Sequence, residues 1–80
     1  VAVGSSSAAS NAFDANTREI RIVSTVDAYV AFDPAPTASS SSLILPAFTV
    51  EYFRVDSASK VALIRVGSTT GTARVTEVSQ

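Results

Sequence analysis

Residues 19–33 read Glu19-Ile20-Arg21-Ile22-Val23-Ser24-Thr25-Val26-Asp27-Ala28-Tyr29-Val30-Ala31-Phe32-Asp33. Ile20, Ile22, Val26, Ala28, Val30 and Phe32 fall on even positions; Glu19, Arg21, Thr25, Asp27 and Asp33 fall on odd ones. Side chains of an extended chain alternate between two faces, so a period of two describes strands with one buried and one wetted face. The run is much longer than a typical strand of about five or six residues. Ser24-Thr25 supplies the break, and strands are predicted at 19–24 and 26–32. Tyr29 is the exception on the odd face, where it can cover a sheet edge or meet a partner.

Downstream, residues 33–42 read as a loop, because Pro34 and Pro36 block ladder bonding and the serines bury nothing. Leu43-Ile44-Leu45 is a short apolar strand stopped by Pro46. Further strands are predicted at 49–55, 60–66 and 72–78, rich in β-branched and aromatic residues. Asp56-Ser57-Ala58-Ser59 separates two of them as a turn. Gly67-Ser68-Thr69-Thr70-Gly71 is a hairpin loop with glycines available for positive φ. Short strands at regular spacing indicate an antiparallel sandwich or a small barrel. Upstream, residues 4–17 are small and polar, with Phe13 the single large apolar group. Residues 1–18 read as an extended arm that orders on a neighbour, or else as a disordered tail; residues 19–80 form the single β domain.

The chain has 80 residues, 46% hydrophobic and 16% charged, with a formal net charge of −1. That length allows one domain. The composition is too apolar for a disordered chain, and its balance lacks the basic excess of a nucleic-acid binder. No run approaches the roughly 18 apolar residues of a membrane helix, and the N-terminus lacks the basic and apolar regions of a signal peptide. Below about 80 residues a lone core rarely supplies more than roughly 3–5 kcal/mol, and no disulfide is available to add to it. Stability lent by copies of itself or by a larger surface is therefore expected.

Cys, His, Met and Trp are absent. Thiolate and imidazole metal ligands, cysteine nucleophiles and histidine acid–base groups are excluded with them. Lys60 is the only lysine, so a Ser–Lys nucleophile pair would have to use it. Its place at a turn-to-strand junction suits a solvated charge better. Asp27, Asp33, Glu51, Asp56 and Glu77 are scattered singly and match no calcium loop. The 67–72 segment has two glycines but no Gly-Lys-Ser/Thr, so it is a turn and not a phosphate cradle. No catalytic residue, metal ligand or cofactor site is assigned. Arg54, Arg65 and Arg74 each fall on a predicted strand. On neighbouring strands they would cluster for acidic groups of a partner; otherwise they are isolated solvated charges or guards of a sheet edge.

Four blocks carry a family resemblance. They are Thr25-Val26-Asp27-Ala28-Tyr29-Val30-Ala31-Phe32-Asp33-Pro34, then Leu45-Pro46-Ala47-Phe48-Thr49-Val50-Glu51-Tyr52-Phe53-Arg54-Val55, Lys60-Val61-Ala62-Leu63-Ile64-Arg65-Val66, and Gly71-Thr72-Ala73-Arg74-Val75-Thr76-Glu77-Val78. Over residues 18–80 the chain resembles small virion proteins of tailed bacteriophages, encoded among head and tail structural genes. Where such proteins commonly carry Pro-Ala-Gly, this chain has Pro46-Ala47-Phe48, a departure from the tight-turn pattern.

The resemblance implies a capsid cement or decoration protein, a compact β-sandwich or jelly roll. It implies a homo-oligomer, with a trimer favoured, on the outside of the assembled shell where subunits of the major capsid protein meet. The expected fold is thus all-β: a small antiparallel β-sandwich, jelly-roll-like, behind an extended N-terminal arm. Its expected place is the virion, on the capsid exterior, with no nucleic-acid or membrane partner. The expected contact residues are Val1, Val3 and Phe13 on the arm, Tyr29 on the strand face, Phe48 at the turn, and Arg54, Arg65 and Arg74 as polar contacts. Deletion of residues 1–17 is expected to cut particle binding while leaving the β domain folded. Alternatives are a head–tail connector, a tail or fibre-attachment module, or a carbohydrate-binding β module using Tyr29 and Tyr52 as platforms. A hydrolase would have to act without any histidine.

Overall fold

The structure, a computed structural model, describes residues 1–56 and 59–78. Its elements are β1 (Ala2–Val3), β2 (Ala8–Ala9), β3 (Glu19–Ser24), β4 (Ala28–Asp33), β5 (Leu43–Leu45), β6 (Glu51–Arg54), β7 (Lys60–Arg65) and β8 (Gly71–Val78). No helix occurs among the described residues. The strands form two four-stranded antiparallel sheets, ordered β1-β8-β3-β6 (sheet I) and β2-β7-β4-β5 (sheet II). Packed together they make the small antiparallel β-sandwich that the alternation predicts.

The order has a simple logic. β1 pairs with β8, β2 with β7, β3 with β6 and β4 with β5. These are the rungs of one long hairpin, dealt alternately to the two sheets. β3–β8 and β4–β7 contacts then complete each sheet. β1 and β2 are therefore edges on one flank, and β5 and β6 are edges on the other. Phe32 of β4 meets Phe53 of β6 across the sheets near that second flank, with ring centroids 5.0 Å apart and planes at 48°. Tilted packing at this distance is favoured by the ring quadrupoles.

Ile20 and Ile22 point inward from β3, Ala28 and Val30 from β4, and Val61 and Leu63 from β7, all buried. Ser24 ends β3 on the same inward side. Its hydroxyl donates to the Val26 carbonyl at 2.6 Å, so burial leaves it satisfied.

The expected arm is corrected by the structure. Residues 1–18 are extended but lie on the sandwich. The Val1 amino group donates to the Ala73 carbonyl at 2.9 Å, and the Ala73 N–H donates back to the Val1 carbonyl at 2.8 Å. The Ser10 N–H donates to the Val61 carbonyl and the Phe13 N–H to the Ser59 carbonyl, each at 2.8 Å. The Glu77 carboxylate accepts from the Asp14 N–H at 2.9 Å and from the Thr17 hydroxyl. Val3 and Phe13 are buried core residues packed with Ile20, Ile22 and Leu63, so neither is an anchor for a neighbour. A largely apolar seam between two sheets needs filling, and these two side chains fill it.

The 34–42 loop is also held down. The Ala38 N–H donates to the Ser7 hydroxyl at 2.9 Å. Ser7 precedes β2, at the opposite edge of sheet II from β5. The loop therefore crosses the outward face of that sheet, which explains why Ala62 is buried although its pairing with Ala31 and Ala9 puts it on that face.

Neither Gly67 nor Gly71 uses positive φ, contrary to expectation. Gly71 is required for space instead. A Cβ there would collide with the Thr25 hydroxyl and lie 2.9 Å from both Val26 methyl groups. Of the turn expected at 56–59, residues 57 and 58 lie outside the described residues.

Candidate interaction surface

Among the described residues, five of the six exposed large hydrophobics fall between positions 43 and 52. They are Leu43 at 57% exposure, Ile44 at 55%, Phe48 at 75%, Val50 at 43% and Tyr52 at 57%. All belong to the flank formed by β5, β6 and the segment joining them. Singly exposed apolar residues are ordinary, but a contiguous set marks a contact surface.

Phe48 is the centre of this flank. Its φ is 57°, and it is the only described residue, glycine included, with positive φ. The Thr49 N–H donates to the Pro46 carbonyl at 3.4 Å, closing a four-residue turn with Phe48 in third place. A type II turn needs positive φ there and usually takes glycine or asparagine. The conformation is held by two outside bonds. The Ala47 N–H donates to Asp27 Oδ1 and the Phe48 N–H to the Ser24 carbonyl, each at 2.7 Å. The turn therefore keeps the geometry of the glycine pattern while presenting a phenyl ring to solvent. Backbone strain held by its surroundings is a frequent mark of a working site.

Beneath the ring runs a groove of 360 Å³ lined by Val23, Ser24, Thr25, Phe48, Thr72 and Arg74. Val23 and Arg74 are register partners on the outward face of sheet I, and Arg21 and Tyr52 are partners in the next row. On sheet II, Ile44, Tyr29 and Ile64 stand directly opposite one another across three strands of the outward face. Ile44 is the exposed member of that row, on the sheet II face, whereas Tyr52 faces outward on sheet I, so the flank carries exposed apolar side chains on both faces of the sandwich.

Phe48 is exposed, and Tyr29 is half-buried within the sheet II row. Val1 is half-buried against the core beside Phe13 and Val75. The three arginines do not cluster. Arg54 and Arg74 share the outward face of sheet I at the Glu19 and Val23 rows, about 13 Å apart along β3 at roughly 3.3 Å per residue. Arg65 belongs to the other sheet, where its guanidinium donates to the Thr70 hydroxyl at 2.9 Å. Leu43, Ile44 and Val50 are interface candidates that the sequence reading misses, and Tyr52 enters it only as a carbohydrate platform. Phe48, Val50 and Tyr52 do carry a signal, a period of two running straight out of the Pro46 turn.

Chemically the surface offers apolar contact, one aromatic prow and flanking guanidinium groups. Among the described residues no group of three or more Asp, Glu, His or Cys side chains is placed to hold a metal ion. Comparison with known proteins finds no family model, no curated protein and no solved structure that matches this chain.

Proposed function

We propose that this chain is a structural assembly protein, a capsid cement that binds the outer surface of an assembled phage shell at the junctions of its major capsid protein. The observation that carries this reading is the set of five exposed apolar side chains gathered at 43–52 on one flank of a small sandwich, with one strained aromatic among them. A surface of that kind serves macromolecular contact, since small-molecule sites are concave and enclosing. The strand order supports a jelly-roll reading, an architecture found in viral capsid and lectin domains. That support is analogy at the level of fold, and function rests on the surface. The chain acts without catalysis, as a homo-oligomer, by many shallow contacts whose strength comes from multivalency on a repeating shell.

Quantitative mass spectrometry of purified particles from the source tests this. A molar ratio of the same order as the shell protein is expected. A ratio far below it would overturn the cement reading in favour of a connector, tail or fibre-attachment module. Absence from particles would overturn the virion reading altogether.

A further inference from the structure

We infer that a second copy of this chain seats on the β6 edge, antiparallel and related by a two-fold axis through Val50, the residue that leads into that strand. The inference deepens the oligomer reading above but does not depend on the capsid.

The first argument is edge length. A sheet edge exposes unpaired N–H and C=O groups that pair with another strand unless the edge is short or blocked. Of the four edges, β1 and β2 are two residues long, and β5 is three residues long and ends at Pro46. β6 has four paired residues and no proline from Ala47 to its end. It is the edge best able to take an added strand.

Pattern is the second. Residues facing the same way across an antiparallel pair sit opposite each other, so a two-fold axis passes through a residue and pairs its neighbours symmetrically. Phe48, Thr49, Val50, Glu51 and Tyr52 read aromatic, polar, aliphatic, polar, aromatic. Phe48 has φ 57°, and the Phe48 and Thr49 N–H groups are spent on Ser24 and Pro46, so pairing starts at Val50. An axis through Val50 sets it against its own copy and brings each Tyr52 beside the turn that carries the other copy's Phe48. No like charges meet. Centring the axis on Glu51 would oppose two carboxylates.

Area and charge decide the occupant. Leu43, Phe48, Val50 and Tyr52 together expose on the order of 400 Å² of side chain, taking about 200 Å² for a full aromatic and about 100 Å² for a full aliphatic one. A standard interface takes about 800 Å² per partner, rather more than half of it apolar. Two such flanks therefore come close to a standard interface. A net charge of −1 leaves little long-range repulsion between copies. The contact closes on itself as a dimer, in place of the trimer that the family resemblance implies. It leaves the exposed Ile44 of sheet II free for the shell.

The chain has no cysteine, which makes the register directly testable. Paired Cα atoms in antiparallel strands lie about 4.5–5.5 Å apart, within reach of a disulfide. Val50→Cys should cross-link to a covalent dimer under mild oxidation. Thr76→Cys, exposed on the same sheet face but two strands away, should not. Sedimentation velocity on the parent should show a concentration-dependent dimer whose affinity falls at least tenfold in Val50→Lys, with an unchanged far-ultraviolet spectrum. A parent that stays monomeric to about 1 mM, or equal cross-linking of the two cysteine variants, overturns the inference. If that occurs while the chain is still abundant in particles, the capsid reading stands and the flank faces shell protein. A Val50-centred dimer in a protein absent from particles leaves the dimer standing and removes the capsid.

Discussion

Replacing Phe48 by glycine and by alanine separates the strain of its backbone from the use of its ring. An L-residue in the left-handed region costs roughly 1–2 kcal/mol relative to the right-handed one, and Phe48 has φ 57°. Glycine removes that cost but adds unfolded-state entropy of about 0.4–1 kcal/mol relative to alanine. Both variants lose the same ring contacts, which are few because the ring is 75% exposed. The Phe48→Gly chain should therefore be more stable than the Phe48→Ala chain by on the order of 1 kcal/mol, or about 4–8 °C in Tm for a domain of this size. Thermal and urea melts must be run well below the dimer dissociation constant, so that association does not contribute to apparent stability. Self-association should weaken in both variants. An alanine variant as stable as the glycine variant would refute the claim that the Pro46 turn stores strain at Phe48.

Three further outcomes follow from the packing. Gly71→Ala should cost about 1–3 kcal/mol by overpacking, because its Cβ is driven into Thr25 and Val26; a urea melt within about 0.5 kcal/mol of the parent would contradict the close approach. Glu77→Ala removes the acceptor for the Asp14 N–H and the Thr17 hydroxyl and should cost about 1–2 kcal/mol. Its signature is faster amide exchange at Asp14, largely restored by Glu77→Gln, and equal exchange in all three chains would sink the clamp. Deleting residues 1–9 removes β1, β2 and the buried Val3. In a domain holding roughly 3–5 kcal/mol it should abolish the cooperative melt, the opposite of what a detachable arm predicts.

The central strands are legible because their signal is local and dense. Glu19–Ser24 and Leu43–Leu45 fall where the alternation and Pro46 put them. The strand expected at 26–32 begins two residues later, because the Ser24 hydroxyl and Val26 carbonyl close the turn first. The expected 49–55 strand shrinks to Glu51–Arg54 for a similar reason: Thr49 is spent on the Phe48 turn. β1 and β2 are illegible in principle. Each is two residues of small or apolar type, and their partners lie more than fifty positions away in β8 and β7. Propensity over two residues carries no weight against such tertiary pairing. The interface residues divide in the same way. Phe48 announces itself by standing where a turn glycine is usual. Val3 and Phe13 mislead because an isolated apolar residue in a polar stretch reads alike whether it anchors to a neighbour or to its own core.

A positive-φ phenylalanine on an exposed turn is a local conflict between sequence and structure. Such conflicts persist where they serve a function and are supported from elsewhere. Here the support is visible in the Asp27 carboxylate and the Ser24 carbonyl, which hold Ala47 and Phe48 in the turn. The ring sits on the turn just before β6, the edge best able to accept a strand, with Val50 between it and Tyr52 in sequence. Strain and edge exposure both cost the isolated domain stability or solubility, and each is relieved by covering the same flank. Phe48→Gly should therefore move two measurements in opposite directions, more stability for the lone domain than alanine gives and less affinity between copies than the parent has. A merely tolerated defect predicts the first change without the second.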